Sequence, residues 1–269
     1  PLLGVDLDPE TRELLIGDGL SLMRAEELAD PPDVEGLLVV LRVPQERWEH
    51  PPVAAARARF RKLLTALRLF ERGGFALAPI GWSRIDGGAW RPVALGGSGR
   101  PRLRTTIPVS QEDEFRAFCN IMSRRLPPVV PDGSGAGEIA WALTRFEMGC
   151  ERLAPFEALT DYLLALRALL EPEGPSSGRL AQRLAVICAA AEDRVALAQR
   201  TAYAISLERA VVAGIAPAGD PEIPADALVE ELAEHLRAIL RDTLCGHLDA
   251  DVRAVADELL AEAAAAVPA

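Results

Sequence analysis

The chain has 269 residues, a hydrophobic share of 49% and a formal net charge of −11 at pH 7. That length holds one large or two small domains, and the apolar share is enough to fill a complete core, the profile of an ordinary soluble protein. An acidic chain binds nucleic acid only through a restricted patch, and no run approaches the roughly 18 apolar residues that a membrane span requires.

Residues 1–50 read as short strands and turns. Leu37-Leu-Val-Val-Leu-Arg-Val43 is an apolar, β-branched run of strand length, stopped by Pro44. A helix is expected from about Pro52 to Glu71, ended by Gly73-Gly74. Its polar side reads as Arg57, Arg59, Arg61, Lys62 and Arg68, and its apolar side as Phe60, Leu63, Leu64, Leu67 and Phe70. Ala76–Ser83 and Ala89–Ala94 then read as a hairpin about Asp86-Gly-Gly88, a turn sequence that allows positive φ. Trp82 and Trp90 fall on that hairpin as packing residues, although neighbouring arginines would also suit a platform for stacked bases. Residues 96–104 read as a glycine- and arginine-rich loop. Its Gly-Gly-Ser-Gly lacks the Lys-Ser/Thr of a P-loop, so nucleotide hydrolysis has no support. Gln111–Arg125 reads as a helix with acidic residues at its start and Arg124-Arg125 near its end, the polarity that the helix dipole favours. Pro127-Pro128 ends it, and residues 131–137 read as a domain boundary.

Beyond that boundary the pattern is helical almost throughout, with segments at Glu138–Cys150, Leu153–Leu170, Arg179–Ala190, Glu192–Val212, Ala225–Cys245 and Asp249–Ala266. Short, glycine- or proline-bearing turns between such segments make an antiparallel bundle. The fold class expected is therefore α+β, with a small mixed α/β domain over residues 1–130 and an all-helical domain over 138–269.

Charge is divided unequally between these parts. From Ile139 onward there are 11 arginines against 21 acidic residues, a net of −10. The stretch Arg57–Arg104 carries 11 basic residues against only Glu71 and Asp86, a net of +9, and is the one region suited to phosphate contact. Its nucleic-acid-binding candidates are Arg57, Arg59, Arg61, Lys62, Arg102 and Arg104; the competing reading makes the helical ones a solvated face. Cys119, Cys150, Cys188 and Cys245 are widely spaced, without a Cys-x-x-Cys pair, and read as reduced thiols of a cytoplasmic protein. Neither a cofactor nor a metal site is expected. The N-terminus shows no basic region followed by an apolar stretch, so secretion is unsupported, and a start at Pro1 suits a fragment of a longer product.

The helical segments carry a family resemblance. A leucine-rich helix bears Leu153, Phe156, Leu159, Leu163, Leu166 and Leu170, and a second is headed Ser177-Gly-Arg-Leu-Ala-Gln-Arg-Leu-Ala185. The third ends Arg209-Ala-Val-Val-Ala-Gly214. In that order they resemble the Apea-like branch of the HEPN superfamily. Leu64-Thr-Ala-Leu-Arg-Leu-Phe70, Gly73–Trp82 and Trp90-Arg-Pro92 resemble the helix-then-strand passage that precedes the bundle there, and Ile16-Gly-Asp-Gly-Leu20 with Glu26-Glu27 resembles its N-terminal part.

HEPN ribonucleases pair an arginine and a histidine on one helix, usually against the same pair of a second protomer. The histidine moves a proton near neutral pH while the guanidinium holds the scissile phosphate. On the resemblance, Arg209 takes the arginine position, Ala210 replaces a serine, and Ala213 stands where the histidine belongs. A methyl group exchanges no proton. Arg167 likewise stands where an acidic residue is usual. The resemblance thus implies a homodimeric fold kept without nuclease chemistry: a non-catalytic module, dimerising and associated with RNA or a protein partner, in bacterial stress response or phage-conflict defence. Two alternatives stay open. One is an active, metal-independent endoribonuclease with a rebuilt site, in which Arg209 meets His247 or His235 across a protomer interface; the other is a helical interaction scaffold with no nucleic-acid role. Arg241-Asp-Thr-Leu-Cys-Gly-His247 also spaces an arginine and a histidine suitably, but Gly246 reads as a helix cap that leaves His247 beyond the last turn. His50 and His235 lack partners at catalytic or metal spacing, and Arg209 itself has a plain alternative as one half of an ion pair with Glu208, Glu157 or Asp161.

Overall fold

The computed structural model describes residues 1–44, 52–96, 104–127, 137–215 and 224–265. The chain divides into two compact units, Pro1–Leu126 and Pro127–Ala269. The first is mixed and the second helical, an α+β protein.

The N-terminal unit holds nine short strands, two α-helices and one turn of 3-10 helix at Ala25–Glu27 among its described residues. Strands β3 (Glu13–Gly17), β4 (Leu20–Arg24) and β5 (Leu37–Leu41) form an antiparallel sheet in that order. The β3–β4 turn is Asp18-Gly19, with φ of 50° and 77°. Asn/Asp-Gly pairs favour such turns because both residues sit at positive φ. A side chain at Gly19 would also lie 2.1 Å from the Arg42 carbonyl oxygen. Helix α1 (Val53–Phe70) packs on α2 (Val109–Arg125), and Leu63, Leu64 and Leu67 of the one and Phe115 and Met122 of the other are buried. Phe70 lies edge-on to Phe115 at 5.1 Å between ring centroids.

Two details of this unit depart from the expectation. Arg68, expected on the polar side of α1, is buried, and its Nε and Nη2 donate to the Phe75 carbonyl at 3.3 and 3.0 Å. That charge-assisted contact satisfies a carbonyl just beyond the helix and closes the turn after it. The run Ala76–Ser83 is also two strands rather than one. β6 (Ala76–Leu77) pairs antiparallel with β1 (Leu2–Leu3), while β7 (Ile80–Ser83) pairs with β8 (Arg91–Ala94) as the expected hairpin. Pro79 separates the two and has no N–H to continue a ladder. Finally, β2 (Val5–Leu7) pairs in parallel with β9 (Thr105–Ile107).

The helical unit contains α3 (Glu138–Glu151), α4 (Pro155–Leu170), α5 (Leu180–Cys188), α6 (Arg194–Val212), α7 (Ala225–Cys245) and α8 (Val252–Ala265). Helix α4 is central and touches each of the other five. The reason is its sequence: Leu159, Leu163, Leu166 and Leu170 are all fully buried, each worth about 1.5–3 kcal/mol of transfer free energy. Pro155 begins α4 at the position where its missing N–H is harmless. Where α3 crosses α4, Gly149 gives way to the Tyr162 ring; an added Cβ would lie 2.3 Å from Cε1.

The helices are also cross-linked by ion pairs. Asp161, almost fully buried on α4, accepts from Arg145 of α3 at 3.1 Å and from Arg152 Nε at 2.8 Å. Arg183 of α5 is buried and donates to both oxygens of Asp257 on α8, at 2.8 and 3.0 Å, and to the Leu170 carbonyl at 2.6 Å. The buried Glu171 carboxylate receives the Ser177 hydroxyl at 2.6 Å and the Arg179 N–H at 3.0 Å, fixing the start of α5.

Candidate functional site

The end of α6 carries the residues on which the nuclease question turns. Glu208 and Arg209 are successive residues and therefore point to different sides of the helix. Glu208 is buried and faces α4, where its two carboxylate oxygens accept from Arg167 Nη1 at 3.0 Å and Nη2 at 2.7 Å. This bidentate geometry is the strong form of the arginine–carboxylate pair. Arg167, the residue standing where the resemblance expects an acid, thus has its charge complemented from the opposite helix.

Arg209 is exposed and makes no ion pair or side-chain hydrogen bond among the described residues. The partners considered for it are engaged elsewhere: Glu208 with Arg167, Asp161 with Arg145 and Arg152, and Glu157 with Arg152 at 3.7 Å. Ala213 is the C-cap of α6, and Gly214 follows at φ 71°. Val212 and Ile215 beside them are 73% and 63% exposed. The surface is therefore one guanidinium among aliphatic side chains, able to hold an anion or meet another protein. Nothing within the last turn of α6 can transfer a proton.

Among the described residues, neither histidine of the helical unit makes an ion pair or hydrogen bond with Arg209. His247 lies beyond Gly246, the left-handed cap of α7 at φ 81°, and its N–H donates to the Asp242 carbonyl at 2.8 Å. Its ring is exposed at the helix end. His235, on α7, is mostly buried, and burial holds its pKa below the ordinary histidine value. Its Nε2 stands 3.8 Å from Glu231 Oε1, beyond hydrogen-bond distance, because that carboxylate is held by Arg200 Nε and Nη2 at 2.7–3.1 Å. His50 lies outside the described residues.

The basic residues of the N-terminal unit are largely tied to their own fold. Arg57 donates to the Ala94 carbonyl at 2.5 Å, Arg59 to the Asp18 carbonyl at 2.9 Å, and Lys62 to the Ser123 carbonyl at 3.2 Å. Arg104 pairs with Asp6 at 2.9 Å, while Arg61 is exposed. Arg102 lies outside the described residues. Arg57, Arg59 and Lys62 stitch α1 to strand ends and to α2, so a phosphate would have to share donors already in use.

A separate feature of this unit has no counterpart in the sequence motifs: a cavity of about 440 Å³ lined by β5, α1 and the β7–β8 hairpin. Trp82 and Trp90 both line it. The Trp90 Nε1–H donates to the Asp30 carbonyl at 2.6 Å and the Arg84 guanidinium lies over the Trp90 ring at 4.4 Å, so this tryptophan is held in place rather than offered for stacking.

Burial holds two of the four thiols in the protonated form. Burial raises Cys119 far above its ordinary value, and burial with the nearby Asp242 charge pushes Cys188 up to about 12. Among the described residues no group of three or more His, Cys, Asp or Glu side chains could hold a metal ion, and no helix is long and apolar enough to cross a membrane. Comparison of the chain with protein-family models found no match, and neither did comparison with curated proteins or with solved structures.

Proposed function

We propose that this chain is a HEPN-like protein without nuclease activity, whose helical unit works as a dimerising protein-interaction module in the cytoplasm. The observation that carries the reading is the end of α6, where Arg209 projects into solvent, Ala213 takes the place of a proton-transfer group, and Glu208 is held by Arg167. Exposed Val212 and Ile215 beside Arg209 suit contact with protein more than with phosphate. The net charge of −10 from Ile139 onward points the same way, since it repels nucleic acid. Work in a bacterial stress or phage-conflict system is what the family resemblance adds.

The exposed Arg209 favours one second reading, an RNA-associated module that binds without cleaving. Sedimentation velocity of the full chain, alone and with pooled labelled RNA, distinguishes the two. Self-association weakened by Val212→Glu, with RNA remaining unbound, is the expected result. RNA co-sedimenting with the wild type but not with Arg209→Ala replaces the protein-interaction reading with the RNA-associated one. A monomer in both the wild type and Val212→Glu overturns dimerisation.

A further inference from the structure

The cavity of the N-terminal unit is bordered by strand edges. Six consecutive residues of one run line it, Leu38 to Arg42 and Val43, and a second consecutive run, Gly81 to Asp86, lines it from the hairpin. Successive strand side chains point to opposite faces, so a cavity lined by every residue in turn looks onto the strand from its edge.

The hydrogen-bond phase identifies what β5 presents there. The Arg42 N–H donates to the Gly19 carbonyl at 2.8 Å, and the Ala25 N–H donates to the Gly36 carbonyl at 2.9 Å. With Leu20↔Leu41 to Arg24↔Leu37 in register, the even-numbered residues of β5 bond to β4. The N–H and C=O of Val39 and Leu41 therefore point the other way, and β5 is the edge strand of its sheet. On the hairpin, the Leu95 N–H donates to the Pro79 carbonyl at 2.8 Å, so odd-numbered residues of β7 bond to β8 while Ile80 and Trp82 direct their backbone groups away from it.

The far edge of β8 is treated differently. In that phase Pro92 and Ala94 face outward; Pro92 has no N–H to offer, and the Ala94 carbonyl accepts from Arg57. Proline and a capping cation are the devices by which proteins close an exposed edge. Val39 and Leu41 carry neither device, and their edge opens on an apolar cavity with Phe60 of α1 and Val93 and Leu95 of the hairpin along its walls. Arg42, at the end of the strand, turns its guanidinium toward β3 and β4, where it pairs with Glu13 and donates to the Ser21 hydroxyl at 3.1 Å, so the walls beside Val39 and Leu41 stay apolar.

We infer that this cavity is a binding cleft for an extended peptide segment, which adds to the free edge of β5 as a further strand. The segment takes its place through main-chain hydrogen bonds to Val39 and Leu41 and buries alternate aliphatic side chains against Phe60, Val93 and Leu95. Main-chain pairing gives affinity and the pockets give side-chain preference, as in other cases of strand addition.

The test uses the full chain and a pool of capped six-residue peptides in which Val, Ile or Leu alternates with Thr. Amide exchange is the primary readout. In the free protein the Val39 and Leu41 amides exchange quickly while those of Leu38 and Val40 are protected; peptide slows Val39 and Leu41 at least about tenfold. N-methylation of the peptide amides on one edge removes binding. Val39→Pro deletes an N–H that pairs with nothing among the described residues and weakens peptide binding by about tenfold while leaving the melting temperature close to wild type. Val40→Pro, which deletes a ladder donor, lowers the melting temperature instead. Failure of the whole pool to bind overturns the proposal. So does binding that leaves the Val39 and Leu41 amides unprotected or that tolerates N-methylation, since the cavity then takes apolar matter without strand pairing.

Discussion

Replacing Arg167 with leucine isolates the contact on which the arrangement of α6 depends. Glu208 has a side chain only 8% exposed and Arg167 only 15%, and their two hydrogen bonds measure 2.7 and 3.0 Å. Arg167→Leu leaves a carboxylate in the α4–α6 interface with no cation beside it. Removing one partner of such a pair costs about 3–5 kcal/mol, because the desolvation of the remaining charge is no longer offset. At about 2–4 °C per kcal/mol for a chain of this size, the melting temperature falls by roughly 6–20 °C. The double variant Arg167→Leu/Glu208→Leu removes both charges and fills the space with aliphatic groups. Its stability returns to within about 1 kcal/mol of wild type, since exchange of a buried pair for packed apolar residues is often neutral or better. Thermal melts of the four proteins of this cycle, with amide exchange on α4 and α6 to localise the effect, measure the coupling. A single substitution costing less than about 1 kcal/mol, or a double variant as unstable as the singles, refutes the argument.

His235 makes stability depend on pH. Burial holds its pKa below the ordinary 6.5, with Glu231, Arg200 and Glu234 as the charged groups facing it, so the unfolded chain takes up a proton first as pH falls. Its neutral form is fully compatible with the fold above about pH 6.5, and stability drops below that by at most about 1.4 kcal/mol per pH unit; His235→Leu flattens the melting-temperature profile between pH 6.5 and 5, and an unchanged slope contradicts the assignment. Gly149→Ala tests the crossing of α3 and α4. Helix propensity alone favours alanine by about 1 kcal/mol, but the 2.3 Å approach to Tyr162 outweighs it, so the variant melts lower and Gly149→Ala/Tyr162→Ala recovers part of the loss. Arg183→Leu frees α8 by deleting its bidentate link to Asp257, and amide exchange on α8 then accelerates more than on α3. Equal acceleration throughout the unit places the contact's effect on global stability instead.

The helical unit was legible because its signals are local. Leucines at helical spacing placed α4 to within two residues, and Gly246 marked the end of α7 where the left-handed cap lies. The Asp18-Gly19 turn is written equally plainly, in an Asp-Gly pair between apolar runs. Pairings between distant segments left no such trace. Three-residue strands such as β2 and β9 are too short for an alternation pattern, and their parallel register exists only once the intervening chain has folded. Charged side chains were the other blind spot. Periodicity assigns an arginine to a polar face, but Arg68 and Arg183 are buried because carbonyls and carboxylates from other elements come to meet them. The exchange of charges between Arg167 and Glu208 was hidden for the same reason. At the candidate site, the absence of a proton-transfer group at Ala213 could be read directly from the residue, whereas the exposure of Arg209 required the packing of α6 on α4.

The most direct measurement is a cleavage time course on pooled labelled RNA without added metal, comparing the wild type with Arg209→Ala and His247→Ala. If the end of α6 has lost its chemistry, all three proteins leave the RNA as intact as buffer does. Cleavage by the wild type that disappears with either substitution contradicts the account and identifies a working site rebuilt around Arg209 or His247.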